Sequence, residues 1–196
     1  FPNDVIKGER EDANTTALAT RAKGALALGQ TKAINGLLGL RNRHLKNVEF
    51  LEYPHPILSK VAEEVNFATT PKKELIEIIK KLGAALSSAG YGQRLGIAAP
   101  QIGISKRIMA VQGVVMINPT WRPSKAPPNQ SVEGCYSVPH KVFQVSRAPY
   151  GWAEWYSIDG IKRSFKLRDL NAIIYQHELD HLNGVCCADV GTLLED

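Results

Sequence analysis

The sequence predicts an α+β domain, on three observations. Residues 107–167 carry several short runs rich in β-branched and aromatic side chains, which read as strands. Two of the links between them, Gln112-Gly113 and Asp159-Gly160, are hairpin-turn signals, so neighbouring strands pair antiparallel. Segments with apolar residues at three-to-four spacing stand before and after this region and read as helices. The 196 residues suffice for one domain with an appendage. Hydrophobic residues at 44% and charged residues at 22% are ordinary for a soluble globular protein. No apolar run reaches the roughly 20 residues that span a bilayer.

In chain order, residues 1–46 form a basic N-terminal extension, and residues 47–196 form the main domain. The extension holds eight Lys/Arg against four Asp/Glu, so +4 of the net +5 sits there. The main domain is left nearly neutral, and its composition does not suggest a nucleic-acid surface or a DNA partner. An acid-poor, amphipathic N-terminus is compatible with organelle targeting or with a membrane-surface or ribosomal-RNA contact. A self-packing or solvated extension is the simpler reading. Val48 to Val65 reads as a short strand, a Pro-rich turn and an irregular link, because Pro54 and Pro56 preclude a helix interior. A helix follows, with Thr70 as cap, Pro71 at its first position and Leu75, Ile79, Leu82 and Leu86 as its buried stripe. Gly90 and Gly92 end it.

Arg94 to Gln101 is a compact loop of small residues. Arg107–Val111 and Val114–Ile117 read as strands, with Asn118-Pro119 ending the second and residues 121–130 forming a loop. Cys135 falls at a strand end. Lys141–Val145, Trp152–Ile158 and Ile161–Leu167 complete the strands. The last helix begins with Asp169 as cap and ends at Gly184. Cys186 and Cys187 read as core or strand residues and not as ligands. An odd total of three cysteines argues against a disulfide scaffold and for a reducing compartment.

The chemistry concentrates on that last helix. His177 and His181 are four apart and lie on one helical face, with Glu178 beside them. Two of only five histidines therefore bracket a glutamate at metal-ligand spacing. A catalytic zinc-type site takes three protein ligands and keeps one position open, and the Cys135 thiolate would complete the set.

Three stretches stand in order: Gly96-Ile97-Ala98-Ala99-Pro100-Gln101, Glu133-Gly134-Cys135-Tyr136-Ser137, and Gln176 through Gly184. Together they resemble the peptide deformylase family, over roughly Val48 to Gly184. Tyr53-Pro54-His55-Pro56-Ile57-Leu58 and Ile117-Asn118-Pro119 agree with it. The resemblance implies antiparallel sheets packed around a central metal-binding helix. It implies removal of the formyl group from the N-terminal formylmethionine of new polypeptides. It implies one divalent ion on Cys135, His177 and His181, with Fe(II) expected natively and Zn(II), Ni(II) or Co(II) as alternatives. The same resemblance implies that hydroxide made available by the ion would attack the formyl carbon, with Glu178 as general base and then acid. It implies that Gln101 and the Tyr136 main-chain N–H would stabilise the oxyanion. Leu95, Gly96, Ile97, Ile173 and Ile174 would bind substrate; Leu170 could join them, but core packing is expected for it. Arg147 is expected to hold Asp180 behind the ligands.

The chain departs from the family at Arg94, where glycine is usual, and at Tyr136, where leucine is common. Only twelve residues follow Gly184. The long C-terminal helix by which bacterial members reach the ribosome is therefore expected to be absent or moved. A zincin-like peptidase would need a further His or Glu ligand downstream and would leave Cys135 and Gln101 unexplained. A non-catalytic binder of formylated or ribosomal partners is disfavoured by the complete set of ligands and base. The compartments that fit are a bacterial or phage-infected cytoplasm and an organelle matrix.

Overall fold

The computed structural model describes residues 48–88 and 95–194. The basic extension, Gly90, Gly92 and Arg94 lie outside the described residues. Two antiparallel sheets and two main helices make up the fold. The larger sheet joins β1 (Gly96–Ala98), β2 (Ile108–Val111), β3 (Val114–Pro123), β6 (Tyr150–Tyr156) and β7 (Lys162–Arg168) in that spatial order. The smaller joins β4 (Asn129–Cys135), β5 (Val138–Arg147) and β8 (Thr192–Leu194). Helix α1 spans Lys72–Ser88, α2 spans Asp169–Leu182, and a single turn, α3, spans Cys187–Val190.

The larger sheet is covered on both faces, and β2 shows why its residues are all apolar. Successive strand side chains point to opposite faces. Ile108 and Ala110 pack with Leu75, Ile79 and Leu82 of α1. Met109 and Val111 pack with Ile174, Tyr175, Leu179 and Leu182 of α2. β1 divides the same way, with Ile97 toward α1 and Ala98 toward α2. The smaller sheet carries a separate core of Val138, Phe143 and Val145, closed by Cys186 and Cys187.

Several local expectations are corrected. Residues 48–53 join no sheet; their main chain donates instead to Gln101 O from Leu51 and to Ser137 O from Tyr53. The Pro-rich stretch holds a 3-10 turn at Pro56–Ser59. Thr70 is not the cap of α1: the helix starts at Lys72 and its first turn bonds Leu75 N to Pro71 O, so Pro71 is the residue that precedes it. β3 does not end at Asn118-Pro119. Asn118 takes φ 49°, its side chain bonds both Val65 N (2.8 Å) and Val65 O (2.9 Å), and the register shifts there before pairing with β6 resumes at Thr120. The bulge absorbs a proline that has no N–H to give the ladder. The expected loop 121–130 shrinks accordingly to residues 124–128. Asp169 is the first residue of α2 and makes no cap bond, so it acts through its charge at the positive helix end. Gly184 does terminate α2, at φ 74°. A Cβ there would meet the main chain of Ser59 and Lys60 at 2.8–2.9 Å.

Candidate active site

Helix α2 turns its apolar side to the larger sheet and its polar side to β4 and β5. On the polar side the rings of His177 and His181 lie edge to face, with centroids 5.1 Å apart. Cys135 ends β4 where the register shifts after Gly134, and such a bulge re-aims the side chain. Its Sγ lies 3.2 Å from His181 Nε2. One donor atom from each of Cys135, His177 and His181 falls within 4.8 Å of the others.

The donor set fits a divalent ion. Burial pushes the His181 imidazole down to about 3, so it is neutral with a free lone pair. His177 has its Nδ1 occupied by Glu133 Oε2 at 2.9 Å, which leaves Nε2 for the ion. Burial lowers the pKa of His177, but the Glu133 bond outweighs it and the net shift is upward. A cation bound at Nε2 takes the place of that proton. The Cys135 thiol is pushed up by the neighbouring Cys186 and Cys187 thiols and by burial. A bound cation is what would ionise it. Glu178 Oε2 and His181 Nδ1 are buried without a hydrogen-bond partner among the described residues.

Glu133 has a role that the sequence reading did not assign. Its carboxylate accepts from Arg147 Nε and Nη2, both at 2.8 Å, as well as facing His177. Arg147 Nη1 also donates to Asp180 Oδ2 at 2.5 Å. Burial works against the Glu133 charge, yet Arg147 and His177 hold its carboxyl down at about 2. One guanidinium thus ties β4, β5 and α2 together behind the histidines, in the geometry that orients metal ligands. No pattern along β4 signals this: apolar Val132 is 66% exposed and Glu133 only 7%, the reverse of what apolar–polar alternation suggests. Gln176 adds a second tie between α2 and the β5–β6 link, bonding both N and O of Ala148 at 3.0 Å.

Glu178 points the other way, against β1. A Cβ on Gly96 would run into the Glu178 carboxylate, with Cγ at 2.7 Å and Cδ at 2.8 Å. A side chain at position 96 would therefore displace the Glu178 carboxylate. Burial pushes the Glu178 carboxyl up to about 7, the range of a general base working near neutral pH. Gln101 is 1% exposed. Its Oε1 accepts from Ala98 N at 2.9 Å, and its Nε2 is turned to Cys135 Sγ (3.5 Å) and Ser137 Oγ (3.4 Å). Ser137, buried beside it, is another residue the sequence did not single out. The Tyr136 ring stacks on Phe50 at 4.5 Å, so the larger side chain packs toward the α1 core.

A cavity of about 750 Å³ opens over these groups. Leu95, Gly96, Leu170, Ile173 and Ile174 form its apolar side, and Gln101, Cys135, Tyr136, His177 and Glu178 reach it. Two expectations change here. Leu170 is not core: it is 52% exposed and lines the cavity. Ile97 is fully buried in the α1 core and does not line it.

Comparison with known proteins agrees with this architecture. Residues 48–195 match the family model described as polypeptide deformylase. A peptide deformylase of Desulforudis audaxviator is 31% identical over 156 residues, covering 74% of this chain and 94% of the relative. Peptide deformylase 2 of Bacillus cereus is 36% identical over 153 residues, covering 68% and 83%. A Plasmodium falciparum peptide deformylase solved with an inhibitor superposes with a TM-score of 0.66 at 33% identity, covering 74% of this chain and 89% of its own. A class I type b enzyme of Acinetobacter baumannii with Met-Ala-Ser bound gives 0.66 at 28% identity, covering 74% and 98%. With a matched model over its whole described length and relatives at this identity, the chain belongs to the polypeptide deformylase family and is an enzyme of it.

Proposed function

We propose that the chain is a metal-dependent hydrolase that removes the formyl group from N-formylmethionyl peptides. The observation that carries this is one convergence: three metal-type donors, a buried unpartnered carboxylate and an amide N–H meet at the foot of one apolar-sided cavity. Cys135, His177 and His181 would hold the ion. A bound divalent ion supplies Lewis acidity, bringing the ionisation of water near neutral pH. Fe(II) is our choice of native ion; Zn(II), Ni(II) and Co(II) suit the same mixed donors.

Glu178 takes the proton from the attacking water and returns it to the leaving amine. Its raised carboxyl pKa suits both halves of that exchange. Gln101 Nε2 and the Tyr136 main-chain N–H donate to the oxygen of the formyl group as it gains charge. The loss of one such donor typically costs about 3 kcal/mol of transition-state stabilisation. Leu95, Leu170, Ile173 and Ile174 offer the apolar wall for a methionine side chain, and Gly96 lets the peptide main chain approach β1. The Met-Ala-Ser complex of the Acinetobacter baumannii relative is in keeping with a substrate that begins in methionine. Among the described residues no helix is long and apolar enough to cross a membrane. A compartment where translation starts with formylmethionine is the natural setting.

The test is anaerobic purification, a metal count, and amine release from a short formyl-Met peptide, with Glu178→Ala alongside. One ion per chain and turnover that Glu178→Ala lowers by about 10²–10⁴-fold is the expected result. Bound metal without turnover, on that peptide and on longer ones, overturns the proposal.

A further inference from the structure

Cys135 belongs to a second group of donors. Its Sγ and those of Cys186 and Cys187 also lie within 4.8 Å of one another, and all three thiols are free. Cys186 and Cys187 are 0% and 2% exposed. The small core around them, Val138, Phe143 and Val145, is apolar and would accept aliphatic side chains at both positions. The corner that carries the two thiols is held in place. Asp189 Oδ2 accepts from Cys186 N at 2.7 Å, Asp189 Oδ1 accepts from the Tyr53 hydroxyl at 2.7 Å, and Gly191 N donates to Cys187 O at 2.9 Å. Supporting bonds of this kind are what a ligand-bearing loop needs to keep its donors aimed.

We propose that Cys135, Cys186 and Cys187 form a second cation site, a trithiolate for a thiophilic divalent ion such as Cd(II) or Zn(II), which excludes the Cys135–His177–His181 site because both need the same sulfur. Three thiolates select soft, d10 ions and reject oxygen-seeking Ca(II) and Mg(II). Each thiol gives up one proton on binding. A divalent ion leaves one net negative charge in the buried corner and a monovalent ion leaves two, so burial favours the divalent class. The entry path runs through the cavity, which Cys135 lines. Cys135 thereby becomes a selector: a borderline ion takes it with two imidazoles, and a soft ion draws it away to two thiols.

The test reads coordination, so it stands apart from whether the chain deformylates peptides. The full chain, purified reduced and metal-free, is given equimolar Cd(II), and X-ray absorption at the cadmium edge counts its neighbours. Three sulfurs are expected; one sulfur with two nitrogens, or two sulfurs, overturns the proposal. This measurement needs no variant. As a second arm, the Cys186→Ser/Cys187→Ser protein should show thiolate-to-cadmium absorption reduced to about a third, one thiolate in place of three. Its Co(II) spectrum should stay unchanged, since Co(II) uses the mixed site. Equal Cd(II) absorption in the two proteins also overturns the proposal.

Discussion

The two sides of α2 are built on different principles. Toward the larger sheet, Ile174, Tyr175, Leu179 and Leu182 interlock with Met109, Val111, Met116 and Trp155. Each contact there is small and replaceable, and their sum is set by buried apolar area. Toward the smaller sheet, His177, Asp180 and His181 meet Glu133, Cys135 and Arg147 through a few short polar contacts. None of these tolerates the loss of a single partner, because the polar group left behind would be buried unpaired. The first side sets how firmly the helix is held; the second sets where its nitrogens point.

That contrast yields graded expectations. The largest effect is on rate: Glu178→Ala should lower turnover by about 10²–10⁴-fold while leaving the thermal midpoint unchanged or higher, since it removes a buried carboxylate oxygen without a partner. A fall in stability instead would mean that Glu178 belongs to the structural side. Arg147→Ala should cost roughly 3–5 kcal/mol in denaturant unfolding, because it strands Glu133 and Asp180 together. Unchanged stability and metal retention would remove the proposed tie. Leu182→Ala, on the apolar side, should cost about 2–5 kcal/mol with metal content per folded chain preserved. Loss of the ion with the fold intact would show that the two sides are not separable. The smallest effect is Glu133→Gln, which keeps size but weakens the bond to His177; metal affinity should drop about 10–100-fold in a competition titration.

What could be read from the sequence follows the same division. The His177–Glu178–His181 spacing, the apolar run of β2 and the two hairpin turns are local patterns, and local patterns are what a sequence displays. The larger corrections came where a distant partner decides. Asn118 looks like a strand end until Val65 is seen to take both ends of its amide. Glu133 looks like one more charged strand residue, and its partners Arg147 and His177 are 14 and 44 positions away. Leu170 has an apolar side chain at helical spacing, yet the cavity beside it leaves it half in solvent.

The missing side chain at Gly96 has a pharmacological consequence. The volume a Cβ would need is filled by the Glu178 carboxylate. An inhibitor that hydrogen-bonds the β1 main chain at this point would lean on a position that tolerates no other amino acid while Glu178 stays in place. Escape by point mutation there would displace the base. It stays open at Leu95 and Leu170, whose exposed side chains can change size without disturbing the base. Compounds that spend their affinity along the β1 backbone should therefore select resistance more slowly than those anchored on the apolar rim.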